Sequence, residues 1–464
     1  MSLFAKNNTE TINTFDTENL QDKSSDAPKI FNTEVPFDHI ISRKVKSSRH
    51  IILNQPEILN AIGFLEVQYL KHFIKAAENS PSVNTVIVKG TGRAFSSGGD
   101  VLSLYKSIYI PNNIHGYKKA WDIWNIIASM KKPYVAIMDG FSIGTGAGLA
   151  AHGSFRVATE KTVFSMPEAA FGFVSDAGSS FFLNQLDNMI GTYIALTAQY
   201  LKGADVFFSG IATHYVPSHR LGAMEYRISQ LDVVDHDEVD SIIEEFSADP
   251  GTQYRHTLKG NVVKTIKNCF KYNTVEEILE ALDKDGSDFA LKTKTEMLKL
   301  SPTSLKANLE LIRRASKSSF ASCMESESRA AMNKLLCPDF KEGVDARFVK
   351  HTQPRWNPST LNAVDIDYVR SEILDKQNVY TAKIFHENAF HAYPYWKYGL
   401  PSDKDVQKII QNPETAFYNY YQVVSYFLQK SNYKFGVLEK VIDILDRNTR
   451  SGDKSLAGKI EWIE

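Results

Sequence analysis

Cysteine is scarce. Only Cys269, Cys323 and Cys337 occur in 464 residues, at spacings that form neither a zinc set nor a disulfide framework, so a reducing compartment is the expectation. No apolar run reaches the 18 or so residues a membrane-crossing helix requires, and no transmembrane segment is expected. Excess charge of either sign is also missing. With 53 Lys and Arg against 54 Asp and Glu, the net charge is −1, and no global basic field draws the chain to nucleic acid or an anionic membrane. The first 30 residues hold Glu10, Asp16, Glu18, Asp22 and Asp26 but no arginine, the opposite of an Arg-rich transit peptide. The stretch MSLFAKNNTETINTFDTENLQDKSSDAPK is polar and poor in branched apolar residues, so residues 1–35 are expected to be a disordered or partner-bound arm. Nucleotide signatures fail too: GTGAG does not complete G-x-G-x-x-G, and no Gly-Lys-Ser or Gly-Lys-Thr closes a phosphate loop.

What is present is enough apolar residue, 43%, for a large core with a further domain or layer. FDHII and HIILN read as two short strands, and NAIGFLEVQYLKHFIKAAENS follows with Ile62, Leu65, Tyr69 and Phe73 at helical spacing. NTVIVKG at 84–90 and PYVAIMDG at 133–140 read as buried strands on either side of a helix around 117–129. SFRVAT and TVFSM add two more. Strands alternating with helices predict an α/β core. Beyond Gly203 the strand signals fade, and helical patterns such as VEEILEALDK and SLKANLELIRRA take over.

Two glycine clusters follow strands in that core, GTGRAFSSGGD and DGFSIGTGAGLAAHG. Such clusters permit positive φ or close backbone approach, and a strand-to-helix turn leaves N–H groups unpaired, so backbone alone can cradle an anion. Either cluster by itself could be no more than a tight turn. Both precede MPEAAFGFVSDAG at 166–178, which delivers Glu168 after a proline and Asp176 eight residues later. Pro167 constrains its own φ and the conformation of Met166, and so helps fix the turn that presents Glu168.

AFSSGGD, MDGFSIGTGAGL and FRVATEKTVFSMPEAAFGFVSDAG together resemble the crotonase (enoyl-CoA hydratase/isomerase) superfamily, and specifically its 3-hydroxyisobutyryl-CoA hydrolase family. LKGADVFFSGIATHYV, SPTSLK and DFKEGVDARFVKHTQPRWNP extend the resemblance over roughly residues 36 to 370. It implies a crotonase-type spiral of ββα units with a mainly helical C-terminal region. The expected division is an arm at 1–35, a crotonase-like core at 36–215, a helical part at 216–374 and a C-terminal extension at 375–464. The segment AYPYWKYGLPSDKDVQKII is similar to the tails of fungal hydrolase-like proteins, some of which sit in the mitochondrial small ribosomal subunit.

The resemblance also implies roles. The amides of Gly99 and Thr145 would converge on the thioester oxygen, each donor contributing roughly 3 to 4 kcal/mol to a developing oxyanion. Thr145 stands where the family usually has glycine, and its side chain is expected to crowd the acyl group or alter φ. Glu168 would act as general base on water or as nucleophile forming a mixed anhydride. Asp176 would bind the substrate hydroxyl or assist proton movement. No metal or redox cofactor is implied, and CoA enters as part of the substrate. Hydratases of the superfamily carry a second glutamate at the place of Gly148, so hydrolysis is expected over hydration. A glutamate that the hydrolases usually carry falls here at Ala120, where Asp122 compensates if the helix is shifted. The partners implied are an acyl-CoA and either a second copy of the chain or, through the extension, the mitochondrial ribosome; the location implied is mitochondrial. A noncatalytic or bifunctional hydrolase-like component of the mitochondrial small ribosomal subunit is the rival function.

Three further features have plain readings. His152, in AAHG, reads as a packed or capping histidine at a helix end. His386 and His391 lack a third clustered ligand and read as surface or interface residues rather than a metal site. FYNYYQVVSYF at 417–427 reads as a buried helix face. Residues from about 375 onward lie outside the segment with both glycine clusters and both acids: if they serve a partner, their removal is expected to leave turnover within a few-fold, and if they lid the active site, to raise KM and lower turnover together.

Overall fold

The alternation of apolar residues along the central strands decides the architecture. In β3 (Thr85–Gly90), Val86 and Val88 face one apolar cluster while Ile87 faces another. In β5 (Tyr134–Met138), Tyr134, Ala136 and Met138 join the first cluster, and Val135 and Ile137 the second. A strand covered on both faces must be apolar throughout, as parallel strands sandwiched between helices are. These two belong to a six-stranded sheet in the order β1 (Ile40–Val45), β2 (Ser48–Leu53), β3, β5, β7 (Phe155–Ala158), β10 (His214–Tyr215), parallel except for the β1–β2 hairpin. Helix α1 (Phe64–Asn79) covers the first face together with α2 (Trp121–Ala128). Helices Leu221–Ser229 and His236–Phe246 cover the second.

The computed structural model describes residues 39–109, 117, 119–231, 235–250, 256–377, 381–382, 389–414, 419–451 and 458–463. Residues 1–35 and His386 therefore lie outside the described residues.

A second sheet draws two of its four strands from the glycine clusters. Its order is β4 (Ala94–Ser96), β6 (Phe141–Ile143), β8 (Val163–Ser165), β9 (Leu201–Lys202), with only β9 antiparallel. β4 and β6 lie inside the two glycine clusters. Helix α3 (Thr145–Ala151) starts directly after β6.

Later helices include α4 (Ser179–Asn184), α5 (Pro302–Ala315) and α6 (Phe320–Lys334). The extension adds α7 (Asp403–Gln411), α8 (Tyr420–Lys430) and α9 (Val437–Asn448), with β11 (Thr449–Ser451) paired to β12 (Ile460–Trp462). These have a core of their own, in which Val406, Val423, Phe427, Val441 and Ile444 meet. The aromatic run is therefore buried on one side only: Val423 and Phe427 face in, while Tyr421 is 57% exposed. Among the described residues, no helix is long and apolar enough to cross a membrane.

Candidate active site

The site is built where β4, β6 and β8 end. Gly144, at the tip of β6, has φ +52, a left-handed value that favours glycine. A Cβ on it would lie 2.8 Å from Glu168 Oε1, so the carboxylate packs directly over this residue. Thr145 is the first residue of α3, whose leading amides have no intrahelical acceptor. Its Oγ1 lies 3.1 Å from where a Cβ on Gly99 would be, which brings the two glycine clusters side by side. Neither the Gly99 nor the Thr145 amide donates to another group among the described residues. Thr145 is absent from the positive-φ residues, so the threonine side chain does not force an unusual backbone.

Pro167 precedes a short 3-10 turn, Glu168–Phe171, which ends at Gly172 with φ +75. This turn sets Glu168 inward at 4% exposure, with Ser175 Oγ donating to Oε2 at 3.4 Å. Burial, and then the charge of nearby Asp176, hold the Glu168 pKa well above the ordinary carboxylate value. Asp176 is equally buried. Burial raises its pKa to about 6, although the Tyr117 hydroxyl donates to Oδ2 and favours the charged form.

The loop carrying Asp176 is held from several sides. The Ser175 amide donates to Asn308 Oδ1 on α5 at 2.9 Å, and the Gly178 and Ser180 amides donate to Glu327 on α6 at 2.8 and 2.7 Å. Ala177 takes φ +60, a conformation that costs a residue with a Cβ roughly 1–2 kcal/mol. Its carbonyl accepts from His152 Nε2 at 2.6 Å. Glu327 is itself fully buried, which pushes its pKa up to about 8 against the hydrogen bonds from Ser180 and Gly178.

The structure thus sets Gly99 beside Thr145, and Glu168 over Gly144 and near Asp176. Ala120 caps α2 at 5% exposure, but Asp122 does not stand in for the absent glutamate, because it pairs with Lys71 of α1. Tyr117, not singled out from the sequence, reaches Asp176 instead; its place one helical turn before Ala120 is the signal that could have found it. Glu327 and Asn308 left no such signal. Gly148 tolerates no side chain: a Cβ there would fall 2.7 Å from Ala177 Cβ and 2.9 Å from Trp124 Nε1. The requirement is space rather than φ. His152 is a buried helix end, as expected, yet it also bridges to the Asp176 loop. His391 is exposed, and no group of three or more potential metal ligands occurs among the described residues.

A buried carboxylate beside two free amides and a second acid can deprotonate water, or attack, at a carbonyl carbon whose oxygen the amides hold. Residues 48–373 match the enoyl-CoA hydratase/isomerase family. The 3-hydroxyisobutyryl-CoA hydrolase of Gallus gallus is 36% identical over 71% of this chain and 87% of its own. A small ribosomal subunit protein, mS47 of Neurospora crassa, is 32% identical over 88% of this chain and 85% of its own. Among solved structures, a carnitinyl-CoA dehydratase from Mycobacterium thermoresistibile superposes with TM-score 0.67 at 28% identity, covering 74% of this chain and 99% of that one. The chain belongs to the crotonase superfamily, in its 3-hydroxyisobutyryl-CoA hydrolase family.

Proposed function

We propose that the chain is an acyl-CoA thioester hydrolase acting on a short branched β-hydroxyacyl-CoA, with 3-hydroxyisobutyryl-CoA of valine breakdown as the leading substrate. The observation that carries this reading is the placing of Glu168, ionisable but pushed upward in pKa, over Gly144 and beside the Thr145 amide. In this reading the Gly99 and Thr145 amides form the oxyanion hole. Water adds to the thioester carbon as Glu168 takes its proton, the C–S bond breaks, and CoA leaves as thiolate. Alternatively Glu168 attacks first, and water opens the resulting anhydride. A thiol with pKa near 8.5 is a fair leaving group, so little acid assistance is needed. Asp176, oriented by Tyr117, takes the substrate hydroxyl. The reaction calls on no metal or redox group, and CoA enters as part of the substrate. The location is mitochondrial, in keeping with the hydrolase relatives that carry that word in their names.

The test is thiol release across a panel of acyl-CoAs, with Glu168→Gln as control. Fast release from hydroxyacyl thioesters supports the reading, and no release from any of them overturns it. A single turnover in 18O-labelled water separates the two routes, since only the anhydride route can leave label on Glu168.

One observation favours a second role beside the first. The match to the Neurospora ribosomal protein covers 88% of this chain, against 68% to 76% for the hydrolase matches. The extension is accordingly proposed to dock the enzyme on the mitochondrial small ribosomal subunit. Co-sedimentation of the full chain with that subunit tests it, and a chain that stays in the soluble fraction counts against it.

A further inference from the structure

Residues 389–398 of the extension do not stay with the extension's own helices. Phe390 stacks on Phe320 at 5.0 Å between ring centres, and its carbonyl accepts from the Phe320 amide at 2.9 Å. Trp396 lies under the Arg156 guanidinium at 5.4 Å. Between them Tyr393 enters the main core at 6% exposure, edge-on to Phe181 at 5.1 Å, and its hydroxyl sits 2.6 Å from His152 Nδ1.

We infer that Tyr393 is a positioning residue for Asp176, acting through His152 and the Ala177 carbonyl, so that the extension completes the active site of its own chain. The role deepens the hydrolase reading and rests on it. The direction of each bond follows from what each group can do. A carbonyl only accepts, so His152 Nε2 carries the proton that Ala177 O receives at 2.6 Å. His152 is 2% exposed, and burial lowers its pKa to about 4, so the ring is neutral and Nδ1 must accept. The donor to Nδ1 is the Tyr393 hydroxyl, whose own pKa burial holds well above the ordinary value. The phenol therefore selects the tautomer. Without it the proton can move to Nδ1, and a buried carbonyl in a left-handed residue next to Asp176 loses its donor. The other ties on this loop come from Asn308 on α5, Glu327 on α6 and Tyr117; the His152 tie is the one that leads to the extension.

Tyr393→Phe in the full-length chain separates the hydroxyl from the packing of the ring. Turnover of the best acyl-CoA should fall about tenfold, equivalent to about 1.4 kcal/mol, with KM changed less than about twofold. Amide exchange at Gly178, Ser179 and Ser180 should quicken. In a His152→Gln background, where a carboxamide can donate to Ala177 without help, adding Tyr393→Phe should change neither readout further. Unaltered exchange at these amides in Tyr393→Phe overturns the inference, as does an equal effect in both backgrounds. If the wild type releases no thiol from any substrate, the hydrolase reading falls with it, while exchange still decides whether Tyr393 holds the loop.

Discussion

Around the active site, Glu168, Asp176 and Glu327 are buried with only neutral donors on their oxygens: Ser175, Tyr117, Ser180 and the Gly178 amide. In the extension, Asp403 is buried against Arg447, which reaches both its oxygens at 3.0 and 2.9 Å. The consequences are opposite. Burial raises the pKa of all three acids in the shell. Burial also opposes the charge of Asp403, but the hydrogen bonds and charge of Arg447 outweigh it, and its pKa falls. A paired buried acid holds structure together, whereas an unpaired one is poised to exchange a proton. Tyr393 and His152 join the two regions.

The sharpest test of the contrast is Glu168→Gln, which keeps the volume and removes the base. Thiol release should fall by about 10² to 10⁴ while CoA binding persists, and near-normal turnover would remove Glu168 from the mechanism. Next in size, Arg447→Ala leaves Asp403 buried without its cation. That should destabilise the extension by about 3 kcal/mol, read as a lower melting temperature and faster amide exchange across α7 and α9, with the β3 and β5 amides unchanged. Gly148→Glu should destabilise the chain by roughly 1–3 kcal/mol through its collision with Ala177 and Trp124, and should confer no hydration of crotonyl-CoA. Efficient loss of the enoyl absorbance, in this variant or the wild type, would restore the hydratase alternative.

Acidity should act on the two regions in opposite directions. The raised pKa values of Asp176, about 6, and Glu327, about 8, mean that their contribution to stability is full below the ordinary carboxylate range and is lost as pH rises through those values. The lowered value of Asp403 means that its contribution is full above that range and is lost as pH falls through its folded pKa. On acidification, amide exchange corrected for its intrinsic rate should therefore quicken in α7 before it quickens in the 175–180 loop. The reverse order would break the comparison. Activity should fall first, at higher pH than the loosening of α7, because Glu168 must be ionised to act and its pKa lies well above the ordinary value, whereas that of Asp403 lies below it. The smallest effect on the fold is expected at exposed Tyr421, where Tyr421→Ser should change stability by no more than about 0.5 kcal/mol. A loss of ribosomal co-sedimentation in that variant would mark the surface used.

The amino-acid sequence by itself determined the elements whose cause is local. Continuous apolar runs announced β3 and β5, SFRVAT announced β7, and helical patterns announced α1 and α5, although the face of α1 that is buried is Val67, Leu70 and Ile74 rather than the row through Leu65, which is 41% exposed; Pro167 with the two glycine clusters announced where an acid and free amides would appear. Strands β4 and β6 were hidden because three residues carry no periodicity and glycine reads as turn. Asp122 was misjudged as a substitute because its partner, Lys71, lies on another helix. Only the tertiary structure decided that Tyr117 meets Asp176, that Glu327 holds the loop from 149 residues away, and that Tyr393 reaches His152 across 241. Hydrogen bonds between residues so far apart leave no pattern along the chain; they exist only once the packing that buries both partners is in place.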